Sequence, residues 1–206
     1  MKKNESESKE KIIKFAFEEF SKHGLMGSRV ENITKRAKVN KAMLFYYFGS
    51  KKNLYELIIK KTVAMLLEKI NDLISPSLSI EEFLEKFPLL YIDFFSNNKN
   101  FINMLVLDLI QNPEQITVLI RTMFREKFGS GPTPFGIIIN KWFEEGRTTE
   151  KDPVHFMLNI MSLIIFPFIF RPIPEAIFNK ELKKSEAYFE YRKKSIQNLL
   201  KRGLLK

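Results

Sequence analysis

Cysteine is absent from the 206 residues, which excludes disulfides and thiolate chemistry. Histidine occurs only as His23 and His155, and the two do not share metal-ligand spacing. Glycine (8) and proline (9) are sparse, so a loop-rich fold is disfavoured. No serine sits in a nucleophile-elbow context, and GSGP at residues 129–132 lacks the lysine and hydroxyl of a phosphate-binding loop. No active site assembles from these residues. The expectation is a protein that is not an enzyme and that carries neither a metal nor another cofactor. The N-terminal MKKNESESKEK has no apolar run and does not read as a signal peptide. The longest apolar run, residues 160–170, is too short to span a bilayer and contains Pro167. A soluble, cytoplasmic chain without a membrane partner is therefore expected.

What the chain has in quantity is apolar volume and positive charge. It is 45% hydrophobic with 20 phenylalanines, enough for a sizeable core, and its formal net charge is +10. The charge is uneven. Residues 1–51 hold 12 Lys/Arg against 6 Asp/Glu, while residues 52–206 hold 22 against 18. An excess concentrated in the first quarter points to an anionic partner for that quarter.

Apolar residues recur at helical spacing along the whole length. Residues 1–8 are polar and expected to fray. Ile12, Ile13, Ala16, Phe17 and Phe20 mark a helix over residues 9–23, with Gly24 as its C-terminal stop. Ser28 and Glu31 have capping-box spacing for a helix over 30–37, and Ser79 and Glu82 for one over 80–95. Asn40 and Ser50 precede helices at 41–48 and 51–75. Further helices are predicted over 101–111, 113–128, 135–145, 153–170 and 180–202. Nine or ten helices and no strand make the fold class all-α.

The organising stretch is residues 33–54, ITKRAKVNKAMLFYYFGSKKNL. Two short helices flank the turn at residues 38–40, and Ile33, Ala37, Val39, Leu44 and Phe48 supply the contacts between them. Lys41, Ala42, Met43, Phe45, Tyr46 and Tyr47 are left for the outer face of the second helix. One cation, small or apolar groups and aromatic hydroxyls suit a DNA major groove, where apolar atoms meet thymine methyls and polar groups meet phosphates. This is a helix-turn-helix arrangement.

Gly24, Ser28, Val30, Ile33, Ala37, Val39, Lys41, Leu44, Tyr46, Phe48, Ser50, Lys51 and Leu54 resemble the DNA-binding domain of TetR-family transcriptional regulators. The resemblance covers about residues 9–54 without a gap. Three positions depart from the family pattern: Lys38 for glycine, Met43 for threonine and Tyr47 for histidine. Lys38 is expected to need a positive φ, at some cost to the turn. The resemblance implies a three-helix helix-turn-helix domain over residues 1–50. It also implies a helical effector-binding and dimerisation domain over residues 51–206, and a repressor role on operator DNA. The DNA-binding candidates are Ser28, Arg29, Lys41, Ala42, Met43, Phe45, Tyr46, Tyr47 and Lys51.

The middle of the chain is dense in large side chains that could line an apolar pocket. Candidates for its wall are Tyr91, Phe95, Met104, Asp108, Phe124 and Trp142, the only tryptophan. Asp93 and Asp108 each lie among apolar neighbours and call for partners, a lysine or arginine of the protein ahead of a ligand cation. The segment FMLNIMSLIIFPFIFRP, residues 156–172, is apolar nearly all round, and Leu182, Phe189 and Ile196 repeat every seven residues. Together they suit a subunit interface, as the resemblance also implies for the last two long helices. Leu163, Phe166, Phe189, Ile196, Leu199 and Leu200 are its candidates, with Pro167 expected to kink the first helix unless its lost bond is taken up locally.

The sequence thus points to a ligand-responsive, homodimeric DNA-binding regulator, a repressor released by a small apolar or cationic effector. Filling the pocket would change the separation of the reading heads through the helix over residues 51–75. One rival is a helical small-molecule-binding protein or enzyme with a vestigial helix-turn-helix, which salt-dependent binding to a specific duplex would exclude. Another is a constitutive DNA-binding protein without an effector, which a ligand-sized cavity would argue against.

Overall fold

The computed structural model describes residues 2–181 and 186–206. Among the described residues the chain forms eleven α-helices. They are α1 (Lys2–Gly27), α2 (Val30–Ala37), α3 (Lys41–Phe48), α4 (Lys51–Leu73), α5 (Ile80–Asn97), α6 (Lys99–Gln111), α7 (Pro113–Phe128), α8 (Pro134–Glu144), α9 (Pro153–Phe170), α10 (Pro172–Phe178) and α11 (Glu186–Leu204). The all-α class follows from the chain's helical periodicity and few breakers. Among the described residues the sole β-type pairing is an isolated antiparallel bridge between Thr148 and Leu205.

By packing, the chain divides into two compact units, Met1–Leu66 with Asn98–Gly129, and Leu67–Asn97 with Ser130–Lys206. In the first unit α1 packs on α2, α3 and α6, and α6 packs on α7. Ile12, Ala16, Phe20, Ile33, Leu44, Leu54 and Ile59 are fully buried there. In the second, α5 packs on α9 and α11, while α8 and α10 pack on α9. Its core holds Phe83, Phe87, Phe95, Phe156, Ile160, Ile164 and Ile196.

Several local expectations change. The first helix begins at Lys2 rather than after a frayed segment. At Gly24 the backbone takes φ 64°, ψ −177°, a conformation essentially confined to glycine, and α1 kinks before its last turn. The Ser28–Glu31 capping box does not form: Arg29 occupies the N-cap of α2 without a side-chain cap. Ser28 is buried and donates its hydroxyl to the Leu25 carbonyl. Glu19 of α1 replaces the box, accepting from the Arg29 backbone N–H at 3.2 Å and the Asn32 amide at 2.9 Å. The second box does form, with Glu82 N–H donating to Ser79 Oγ at 3.2 Å and Ser79 N–H donating back to Glu82 Oε2 at 3.3 Å. Residues 172–178, in the gap between the predicted helices over 153–170 and 180–202, are helical, stopped by Asn179 in the left-handed region. α9 runs through Pro167 and is 18 residues long. By length and composition it is long and apolar enough to cross a membrane, which the run over 160–170 alone was not. Leu182, part of the predicted seven-residue repeat, lies outside the described residues.

Candidate nucleic-acid interface and ligand cleft

The turn between α2 and α3 is fixed by backbone bonds. Lys38 adopts φ 56°, ψ 43°, the left-handed conformation expected where glycine is usual, and its N–H bonds back to the end of α2. Val39 N–H donates to the Thr34 carbonyl at 3.1 Å. Asn40 then caps α3, its side chain accepting from Met43 N–H at 2.7 Å. Ser50 caps α4 through Asn53 N–H at 3.0 Å.

α3 buries Leu44 and presents Lys41, Ala42, Phe45 and Tyr46 to solvent. Phe45 is 43% exposed and Tyr46 79%, an apolar and aromatic outer face on one short helix. Met43 and Tyr47 differ from the rest of the predicted set. They are half-buried and line a cleft with Glu5, Glu7, Ser8 and Lys11 of α1. The Lys9 ammonium lies 5.0 Å from the centre of the Tyr47 ring. Lys41 is paired with Glu31 across the turn, and this contact holds the Glu31 carboxyl below its usual pKa. Lys51 donates to the Ser28 carbonyl at 3.0 Å. Of the other two candidates, Arg29 is exposed, whereas the Ser28 hydroxyl, buried and bonded within the turn, is not displayed at the surface.

The helical geometry matches the family pattern in a shared segment. Residues 12–58 match the model of bacterial regulatory proteins of the tetR family. Residues 12–58 thus form a DNA-binding segment of the TetR type. The matched segment opens on Ile12 and closes on Ile58, both buried core positions of α1 and α4. Over nearly its whole length the chain is similar to the transcriptional regulator RutR of Escherichia coli K12, with 23% identity across 97% of this chain and 91% of that one. The transcriptional repressor NicS of Pseudomonas putida is 40% identical over 57 residues, 28% of this chain and 27% of that one. The fold is similar to the crystal structure of the regulator SCO4942 from Streptomyces coelicolor. The TM-score is 0.68 at 20% identity, covering 95% of this chain and 97% of that one.

The six residues predicted to line an effector pocket fall in different surroundings. In the second unit Tyr91, Phe95 and Trp142 belong to a run of ring contacts. Trp142 lies 5.2 Å from Phe83, Tyr91 4.6 Å from Phe87 and 5.6 Å from Phe95, and Phe95 5.8 Å from Phe168. Burial raises the Tyr91 phenol well above its ordinary pKa. In the first unit Met104 is fully buried, and Phe124 is half-buried with its ring 5.9 Å from Phe128.

Asp108, also in the first unit, is 3% exposed. Neither carboxylate oxygen has a hydrogen-bond partner, and no ion pair to it occurs among the described residues. The protein partner expected for it is therefore absent, whereas Asp93 meets Lys193 at 2.6 Å. Burial raises the Asp108 pKa to about 6. It lines a small cavity of about 10 Å3 with Leu25, Tyr55, Glu56, Asn112, Gln115, Ile116 and Leu119. Tyr55 Oη and Asn112 Nδ2 are likewise buried without partners. Beside it lies an open cleft of about 780 Å3 walled by α4 and by the segment from Gln111 to Thr122. Sequence reasoning missed Tyr55 and Asn112; the one-turn spacing between Asp108 on α6 and Asn112 at its C-cap was the available signal.

The predicted interface residues also divide. Ile196 is 0% and Leu200 2% exposed within a single chain, so these two cannot meet a partner. They lie on the inner face of α11. Leu163 is half-buried and accepts from Arg192 through its carbonyl at 3.1 Å. Phe189 is half-buried and stacks on Phe168 at 5.5 Å. Phe166 and Leu199 are exposed, as are Val154, Leu158, Ile169 and Phe170 of α9.

Proposed function

We propose that this chain is an operator-binding repressor of the TetR type, cytoplasmic and dimeric, released from DNA by a small effector. The observation that carries the reading is α3. A helix locked by a left-handed turn displays Lys41 and Ala42 beside Phe45 and Tyr46, two rings that stability alone would not place in water. Lys41, Tyr46, Arg29 and Lys51 approach phosphates, and Ala42 and Phe45 approach base edges. Met43 and Tyr47 act at the edge of this face, beside the first turns of α1. The functional division is a reading head over residues 1–50 and a regulatory region over 51–206. Two-fold pairing through the exposed face of α9 and Leu199 of α11 would set the reading helices about 34–36 Å apart on a roughly symmetric operator.

The test is selection of a duplex from a random library, followed by titration across salt concentration. Specific binding with a symmetric consensus and a steep salt dependence is expected. Failure to enrich any sequence would reject the reading.

A further inference from the structure

Asp108 poses a problem that the fold does not solve by itself. A carboxylate buried without a donor is unfavourable, and so are the buried Tyr55 hydroxyl and Asn112 amide. Asp108, Tyr55 and Asn112 all line one small cavity, built from α1, α4, α6 and α7 of the first unit. Four of its lining residues, Glu56, Asn112, Gln115 and Leu119, also line the open cleft beside it.

We propose that this cavity binds the terminal ammonium of a primary alkyl amine whose apolar body lies in the adjoining cleft. The inference rests on the effector-responsive reading above and names the class of effector. The cavity, about 10 Å3, admits one group the size of a water molecule. An ammonium has that size; a planar guanidinium or a trimethylated nitrogen does not. Its three N–H donors need three acceptors. Asp108 supplies a carboxylate, Tyr55 a phenolic oxygen, and Asn112 its amide oxygen once the amide is turned over, an orientation that hydrogen bonding decides. The cleft then offers Pro113, Val118 and Leu119 to an alkyl chain.

The site also touches the reading head's own framework. The Asp108 Oδ1 and Gln111 Oε1 atoms lie 3.9 and 2.9 Å from where a Cβ would stand on Gly24, at the kink of α1. Leu25, the next residue, lines the cavity. The connection to α2 follows within four residues, with Ser28 N–H bonded to the Gly24 carbonyl at 3.3 Å. An ammonium seated on Asp108 thus acts where α6 meets the segment that carries α2 and α3.

The experiment is calorimetry on the full DNA-free protein with n-hexylamine, hexan-1-ol and hexyltrimethylammonium. Hexylamine is expected to bind at pH 7.5 at least tenfold more tightly than either analogue. Asp108→Asn, verified as folded by circular dichroism, should weaken hexylamine at least tenfold and leave the alcohol unchanged. Glu126→Gln, at an exposed carboxylate of α7 that lines neither the cavity nor the cleft, is the control and should retain the full affinity. Lowering the pH from 7.5 to 5 should weaken hexylamine by about tenfold as Asp108 takes up a proton. Operator affinity should fall when hexylamine is present. Equal affinity for the trimethylated analogue, or full hexylamine binding by Asp108→Asn, would overturn the site. Binding without any change in operator affinity would overturn the coupling. A chain that selects no duplex but binds hexylamine as described rejects the repressor reading and keeps the site; normal operator binding with no amine binding does the reverse.

Discussion

Lys51 Nζ donates to the carbonyl oxygen of Ser28 across 3.0 Å, fastening the first turn of α4 to the connection between α1 and α2. One side chain therefore stands at two tasks, holding the reading head together and offering positive charge at its surface. Lys51→Ala is expected to lower the stability of the head by about 1 kcal/mol, the typical net worth of such a bond. It should also lower the slope of operator affinity against salt by about one unit. Chemical denaturation and salt titration read the two effects separately. A loss of stability with an unchanged slope would make Lys51 a positioning residue alone.

Tyr46 projects from α3 at 79% exposure and meets the Tyr47 ring edge-to-face at 5.3 Å, so its removal should cost little stability. Tyr46→Ala is expected to weaken operator binding by about tenfold, about 1.4 kcal/mol, with a midpoint of unfolding within about 0.5 kcal/mol of the parent. Ala42→Val, on the same face, should shift the preferred sequence rather than the overall affinity. Binding by Tyr46→Ala indistinguishable from the parent would move the reading surface elsewhere.

The outer faces of α9 and α11 supply a third prediction. Leu199, at 52% exposure, and Phe166, at 54%, are free to meet a second copy, whereas Ile196 is sealed inside its own chain. Leu199→Asp or Phe166→Asp should give folded monomers in sedimentation, because a charge at an apolar interface opposes association. Ile196→Asp should instead lose helical signal, since it places an unpaired charge in the core. A folded monomer from Ile196→Asp would reverse this assignment.

These contrasts show how much of the molecule could be read before its structure. Helix periodicity located Ile12, Ala16, Phe20 and Leu44 in the core because each interval of three or four residues returns to the same face. Lys38 was legible as a left-handed turn residue because it stands where the resembled family has glycine. What failed was contact between elements distant in sequence. The capping of α2 by Glu19 crosses ten residues and the local Ser28–Glu31 spacing gave a false answer. Of the seven-residue repeat, Phe189 and Ile196 lie on α11, but the spacing could not say that α5 and α9 of the same chain pack against that helix. Asp108 stood out in sequence, yet only the fold shows that Tyr55 and Asn112 share its cavity.

Asp108→Asn also tests the physical state of that cavity. The folded-state pKa is raised by burial to about 6, above the ordinary aspartate value of 3.8. The folded protein therefore holds the proton more tightly than the unfolded chain. The stabilising contribution is full below pH 3.8, is lost as the pH rises to about 6, and stays lost above it. A neutral amide does not ionise, so Asp108→Asn should be more stable than the parent at pH 7.5 by an amount on the order of 1–3 kcal/mol. The gap should close as the pH falls below 5. Urea denaturation across this range measures it. A constant difference at every pH would place the titrating group elsewhere.

The kink of α1 provides the last prediction. Gly24 holds φ 64° with ψ −177°, a combination that costs a non-glycine residue about 1–3 kcal/mol. A methyl group there would also stand 2.9 Å from Gln111 Oε1. The two penalties can be separated because Gln111 is exposed and its amide can swing away, whereas the backbone cannot. Gly24→Ala should therefore destabilise the protein by about 1–3 kcal/mol, and Gln111→Ala should recover a small part of that loss. If the double variant regained full stability, contact with Gln111 and not backbone strain would be the cause. If α1 and α2 are held in reading position by this kink, Gly24→Ala should also weaken operator binding by more than its loss of folded protein explains. Quantifying operator affinity per folded molecule, by titrating with active protein counted from the denaturation curve, decides between the two.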